Sequence, residues 1–235
     1  MSELKNLQKK IKKIADPVKA KLLQGYFKTG KGEYGEGDIF LGLTVPVSRK
    51  IAVEFKNLPF PEIAKLLESK FHEERLIALL ILVHKFNKGD EETKKKIYEF
   101  YLKNTRGINN WDLVDLSSHE IIGRYLLEKD KGILIKLAKS KNIWERRIAC
   151  ISTFEFIRNN KLDISLELAE MLLQDKHDLM HKAVGWMLRE IGKRDLKTEI
   201  EFLDKHYKKM PRTMLRYAIE KFPEKLRVFY LKKED

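Results

Sequence analysis

The chain has 235 residues, 43% of them hydrophobic, and a formal charge of +13 from 48 basic and 35 acidic side chains. That apolar content excludes a disordered chain and suffices for one large core or a short helical array. The single cysteine, Cys150, excludes an intramolecular disulfide, and the basic excess favours an anionic partner such as nucleic acid or a membrane surface.

The elements follow from apolar spacing and punctuation. The N-terminal segment carries Lys9, Lys10, Lys12 and Lys13 on an amphipathic pattern, which reads as a solvated helix face, and it lacks the apolar centre of a signal peptide. Glycines at 30, 32, 35, 37 and 42 mark a glycine-rich surface loop. The loop has no GK[ST] ending for a phosphate-binding loop and no preceding strand for a dinucleotide fingerprint. Val45 and Pro46 open a helix, with proline in its first turn. Pro59 and Pro61 separate that helix from the next, and Pro211 and Pro223 stand at the starts of the last two.

Between these marks apolar residues recur three or four apart. Leu76, Leu79, Leu80, Val83 and Phe86 form one stripe, and Ile148, Ile151, Phe154 and Ile157 another. No alternating strand pattern appears, no apolar run is long enough to span a bilayer, and roughly twelve to fourteen helices are expected. A soluble, cytoplasmic protein follows from these features.

The chain also repeats itself. Segments centred on Ala78, Ser117, Ala149, Gly185 and Ala218 align on a small residue inside an apolar helix, recurring every 32 to 39 residues. That period suits stacked helix pairs, an all-α α-solenoid in a single domain over residues 1–235, with the small residue letting neighbouring helices approach closely. Two places before it stand Leu76, Asp115, Arg147, Ala183 and Arg216. Equivalent positions project from the same side, so Asp115 and Arg147 are predicted neighbours. Trp111, one turn before Asp115, and Trp186, three after Ala183, share that face. Arg75, Arg146 and Lys182 occupy the preceding repeat position. With Arg147, Arg189 and Arg216 they read either as a basic stripe tracking a phosphate backbone or as ordinary solvated helix charges. The histidines offer no metal-site spacing; His177 and His181 are four apart without a third ligand.

NNWDLVD at Asn109 to Asp115, WERRIA at Trp144 to Ala149 and KAVGWMLREIGK at Lys182 to Lys193 resemble the AlkD-like family of DNA alkylation repair enzymes. So do the segment from Tyr26 through the glycine-rich loop and the tail MPRTMLRYAIEKFP from Met210. The resemblance implies a curved α-solenoid of HEAT-like repeats, an αα-superhelix. It implies a monofunctional DNA glycosylase that excises N3- and N7-alkylated purines from duplex DNA in base excision repair, without a cofactor. By motif, Asp115 is then the catalytic carboxylate, Trp111 and Trp186 flank the lesion's deoxyribose, and Arg147 is the cleft arginine. Tyr26 joins Arg146, Lys182, Arg189 and Arg216 on the DNA-binding side. Double-stranded DNA with alkylated bases is the expected partner, no metal is required, and the chain is expected to act as a monomer away from membranes. The loop between Tyr26 and Pro46 is a few residues longer than in well-known members. A non-catalytic helical-repeat scaffold binding DNA structure or a protein is the alternative.

Overall fold

The computed structural model describes residues 2–232, and among them the regular structure is helical throughout. Ile39 and Phe71 form an isolated parallel bridge. Among the described residues, no helix is long and apolar enough to cross a membrane. The chain divides into two compact units, Met1–Ser117 and Ser118–Asp235.

In the first unit, α1 (Glu3–Lys13) and α2 (Pro17–Tyr26) lead into the glycine-rich loop, followed by α3 (Val45–Glu54), α4 (Phe60–Leu67), α5 (His72–Lys88), α6 (Glu91–Lys103) and α7 (Trp111–Asp115). The punctuation acts as its chemistry predicts. Pro17 and Pro46 occupy first turns, and Pro59 precedes α4. Asp16, Asp90 and Asn110 cap α2, α6 and α7 by accepting hydrogen bonds from otherwise orphaned backbone N–H groups. α5 is the central helix: every residue from His72 to Val83 is buried, and α3, α4, α6 and α7 all pack on it. A helix apolar all round has to lie inside its neighbours; here it also takes four charged or titratable groups with it, His72, Glu73, Glu74 and Arg75.

In the second unit a π-helical turn (His119–Gly123) runs into α8 (Arg124–Leu126). Then come α9 (Gly132–Ala138), α10 (Ile143–Arg158), α11 (Asp163–Met171), α12 (Asp178–Gly192), α13 (Leu196–His206), α14 (Arg212–Ala218) and α15 (Glu224–Leu231). α10 packs on the π-helical turn, α9, α11 and α12, and α12 in turn on α13 and α14. Pro211 and Pro223 precede α14 and α15, as their spacing predicts.

All five small residues of the repeat are buried. Gly185 shows why size matters there: a Cβ at that position would stand 2.4 Å from the carbonyl oxygen of Met214 and 2.5 Å from the Tyr217 Cβ. α12 and α14 therefore touch backbone to backbone at the repeat's centre.

Glu199 of α13 is 1% exposed, and its Oε1 has no hydrogen-bond partner among the described residues. Burial pushes its carboxyl up to about 9, against a weaker opposing pull from the Arg189 charge. Because the folded-state pKa is raised, folding takes up a proton; stability is full below the ordinary value of 4.5 and declines as pH rises from there through about 9. Glu199→Gln is similar in size and needs no proton. It is expected to stabilise the protein by about 1–3 kcal/mol at pH 8 and to change little at pH 4. Thermal unfolding at the two pH values checks this, and equal effects at both would refute it.

Candidate functional site

The first unit carries an aromatic shelf. α2 ends on Tyr26, 67% exposed, and the next residue, Phe27, turns into the core. Trp111 opens α7 half-buried. Its ring stacks flat on Phe27, with centroids 4.9 Å apart and 7° between planes, while Tyr26 meets its edge at 6.0 Å. Beneath them Phe40 stacks on His72 at 4.4 Å, and Phe27 lies 4.8 Å from Phe40 and 5.1 Å from His72. Stacked and edge-on aromatic contacts of this kind add direction to hydrophobic burial, so one indole is held rigidly at the surface. Asp115, partly exposed, ends α7 one turn after Trp111 and so lies on the same side of the helix.

The shelf rests on a buried polar network that the sequence did not announce. His72 Nδ1 lies 3.1 Å from Asp38 Oδ2, and Nε2 lies 2.8 Å from Asp112 Oδ2. Asp38 also accepts from Arg75 at 2.5 Å and from the Asn110 amide at 3.1 Å. Asn110 uses its other side-chain atom, Oδ1, to accept from the Trp111 backbone N–H at 2.8 Å. The glycine-rich loop, α5 and the start of α7 are thus tied together at one point.

Burial alone would push the His72 imidazole down. The Asp112 charge and the hydrogen bonds to Asp112 and Asp38 outweigh it against Arg75, and the pKa rises to about 9. Burial would likewise push Asp38 up, but the His72 hydrogen bond, the Arg75 charge and Asn110 hold it below the usual carboxylate value. The His72 imidazolium and the Asp38 carboxylate are therefore both charged at neutral pH. Next to His72, Glu73 accepts hydrogen bonds from the backbone N–H groups of Leu41, Gly42 and Leu43 at 2.8–3.1 Å. The loop expected to be mere surface is consequently anchored at its far end by two buried carboxylates.

In the second unit, Arg147 of α10 is 5% exposed and donates to the Leu179 carbonyl at 2.6 Å. Trp186 of α12 is half-buried; its indole N–H donates to Glu190 at 3.2 Å, and its ring lies 5.9 Å from Phe154. Trp144 is core, at 6% exposure.

The basic positions divide. Arg75 is not on a solvent-facing stripe: it is 3% exposed and bonds Asp38 and the Ser69 carbonyl. Arg146, its repeat equivalent, makes the matching bond to the Ser140 carbonyl at 3.0 Å and pairs with Asp175 at 2.6 Å. Arg189 pairs with Glu220, and Lys182 with Asp178. Arg216 is exposed. His177 caps α12 by accepting from the Leu179 N–H, and His181 bonds the Asp175 carbonyl. No group of side chains among the described residues could hold a metal ion.

Asn110 as a helix cap was legible from its place before an apolar run. Asp112 and His72 gave no signal, because apolar spacing does not show which buried polar side chains meet.

An all-helical fold of stacked helix pairs, with a half-buried indole braced one helix turn from a carboxylate, defines a helical-repeat protein of the α-solenoid class. The model of a family described as DNA alkylation repair enzyme matches residues 7–222, and the chain belongs to that family. A solved structure of a predicted DNA alkylation repair enzyme from Enterococcus faecalis is similar in fold, with a TM-score of 0.69 at 15% identity over 89% of this chain and 97% of that one. No curated protein sequence matches the chain.

Proposed function

We propose that this protein is a monofunctional DNA glycosylase that hydrolyses the N-glycosidic bond of N3- and N7-alkylated purines, such as 3-methyladenine and 7-methylguanine, in duplex DNA, initiating base excision repair. The observation that carries the reading is the braced Trp111 ring with Asp115 one turn away, in a chain of the DNA alkylation repair family.

An N3- or N7-alkylpurine is already cationic, so its departure needs no general acid. The barrier lies in the positive charge that develops on the deoxyribose. A carboxylate at Asp115 stabilises that charge and orients the attacking water. The negative faces of the Trp111 and Trp186 rings favour the same cationic sugar. Arg147, already bonded to backbone, serves as a cleft cation. The products are the free base and an abasic site, without strand cleavage or a cofactor.

Tyr26, Arg146, Lys182, Arg189 and Arg216 are assigned to the DNA backbone. Arg216 is exposed, whereas Arg146, Lys182 and Arg189 would exchange a carboxylate partner for a phosphate. The protein is expected to act as a cytoplasmic monomer.

The test is release of 3-methyladenine and 7-methylguanine from methylated duplex DNA, with a uracil-containing duplex alongside. Release of the cationic bases and not of uracil is expected. Trp186→Ala should slow release about tenfold, the scale of losing a modest cation–π contact. DNA binding with no base release would favour the non-catalytic scaffold, and rapid uracil release would point to another mechanism.

A further inference from the structure

We propose, resting on the glycosylase reading, that His72 is a positioning residue: clamped between Asp38 and Asp112, it fixes the Trp111 ring against Phe27 in the orientation that excision requires.

The argument is geometric. His72 is 1% exposed and cannot touch DNA, yet each of its ring nitrogens reaches a carboxylate from an element that frames Trp111. On one side is Asp112, the residue after Trp111. On the other is Asp38, which also holds Asn110, the residue before Trp111 and its helix cap. The imidazole face itself lies on Phe40 and beside Phe27, the ring on which Trp111 stacks. Trp111 is therefore braced from its preceding residue, its following residue and its buried face, and His72 contributes to all three.

The charged groups facing His72 are few. Asp38 comes from the loop, Asp112 from α7, and Arg75 from α5 itself. The other acids of that helical turn are engaged elsewhere, Glu73 with the N–H groups of residues 41–43 and Glu74 with Gln8. Both clamps hold only while both ring nitrogens carry protons, since a neutral imidazole donates from one nitrogen alone. Deprotonation near pH 9 releases one carboxylate and so loosens one side of the Trp111 brace.

The experiment uses the full chain labelled with 5-fluorotryptophan, with Trp111→Phe assigning the Trp111 fluorine resonance among the three. The resonance should shift with a midpoint near pH 9, while those of Trp144 and Trp186 hold still. Tyr26→Phe should leave the transition in place, which separates it from ionisation of the neighbouring phenol. His72→Gln should displace the Trp111 resonance at pH 7 and abolish the transition. It should also lower single-turnover excision about tenfold with affinity for undamaged duplex little changed, and remove the fall in rate expected of the wild type as His72 loses its proton near pH 9. Asp112→Asn serves as a second variant should His72→Gln not fold: it deletes the main charge holding the imidazole protonated, so the Trp111 midpoint should move to lower pH.

A Trp111 resonance that ignores pH and both substitutions overturns the proposal, as does a displaced resonance with unchanged excision. A wild-type chain that releases no alkylated base refutes the glycosylase reading instead, and the clamp then stands or falls on the resonance alone.

Discussion

Asp115→Asn is expected to lower single-turnover release of 7-methylguanine from duplex DNA by about 10²–10³-fold, the scale of losing one preorganised charge-stabilising group in an active site. Asparagine keeps the size of the side chain and one acceptor oxygen, removes the charge, and turns the other oxygen into an amide donor. The effect should therefore appear in the chemical step, where a cationic sugar forms, and not in duplex affinity, which rests on contacts to phosphates. Asp115 lies close enough to the buried Tyr101 for its charge to add to the burial that pushes the Tyr101 phenol up, and thermal unfolding of the variant checks that the fold is kept. Rate and affinity, measured separately on the same methylated duplex, decide the matter. Unchanged release, or a loss of rate matched by loss of binding, would remove Asp115 from the proposed role.

Asp38→Ala should destabilise the protein by about 3–5 kcal/mol, the range for breaking a buried ion pair from one side. Asp38 neutralises Arg75 and shares the proton-rich His72 with Asp112. Without it, two cations face one carboxylate in the core, and the Asn110 amide loses its acceptor. Urea unfolding measures the change, and a cost under about 1 kcal/mol would show that the network relaxes or takes in water.

The network also sets a pH window. The raised His72 pKa makes its contribution complete below the ordinary value of 6.5 and lost as pH climbs through about 9. The depressed Asp38 pKa makes its contribution present above 3.8 and lost as pH falls. Stability from these groups should therefore peak between about pH 4 and 6.5 and fall on the alkaline side by about 3 kcal/mol, a slope that His72→Gln should flatten.

The repeat alignment illustrates how far periodicity reaches. It marked Ala78, Ser117, Ala149, Gly185 and Ala218 as packing positions, and all five are buried. It also marked Arg75 and Arg146 as equivalent, and both bond the carbonyl of the serine six residues before them. The stripe reading of Arg75 failed for a local reason. Side chains in the first turn of a helix lean back toward its N-terminus, where free carbonyls and a buried acid compete with solvent for a guanidinium.

What the sequence alone determined is therefore the class of fold, the helix starts at Pro46, Pro59, Pro211 and Pro223, the small residues at the helix contacts, and Trp111 and Asp115 one turn apart. These are local or periodic properties, set by backbone sterics and by which face of a helix is apolar. The tertiary structure alone decided that Asp38 and Asp112, 34 and 40 residues from His72, close on it from two sides. Apolar periodicity reports which faces are buried. It carries no record of which buried charges meet, because that depends on where a loop and two helices arrive in space, and on a proton that no residue letter shows.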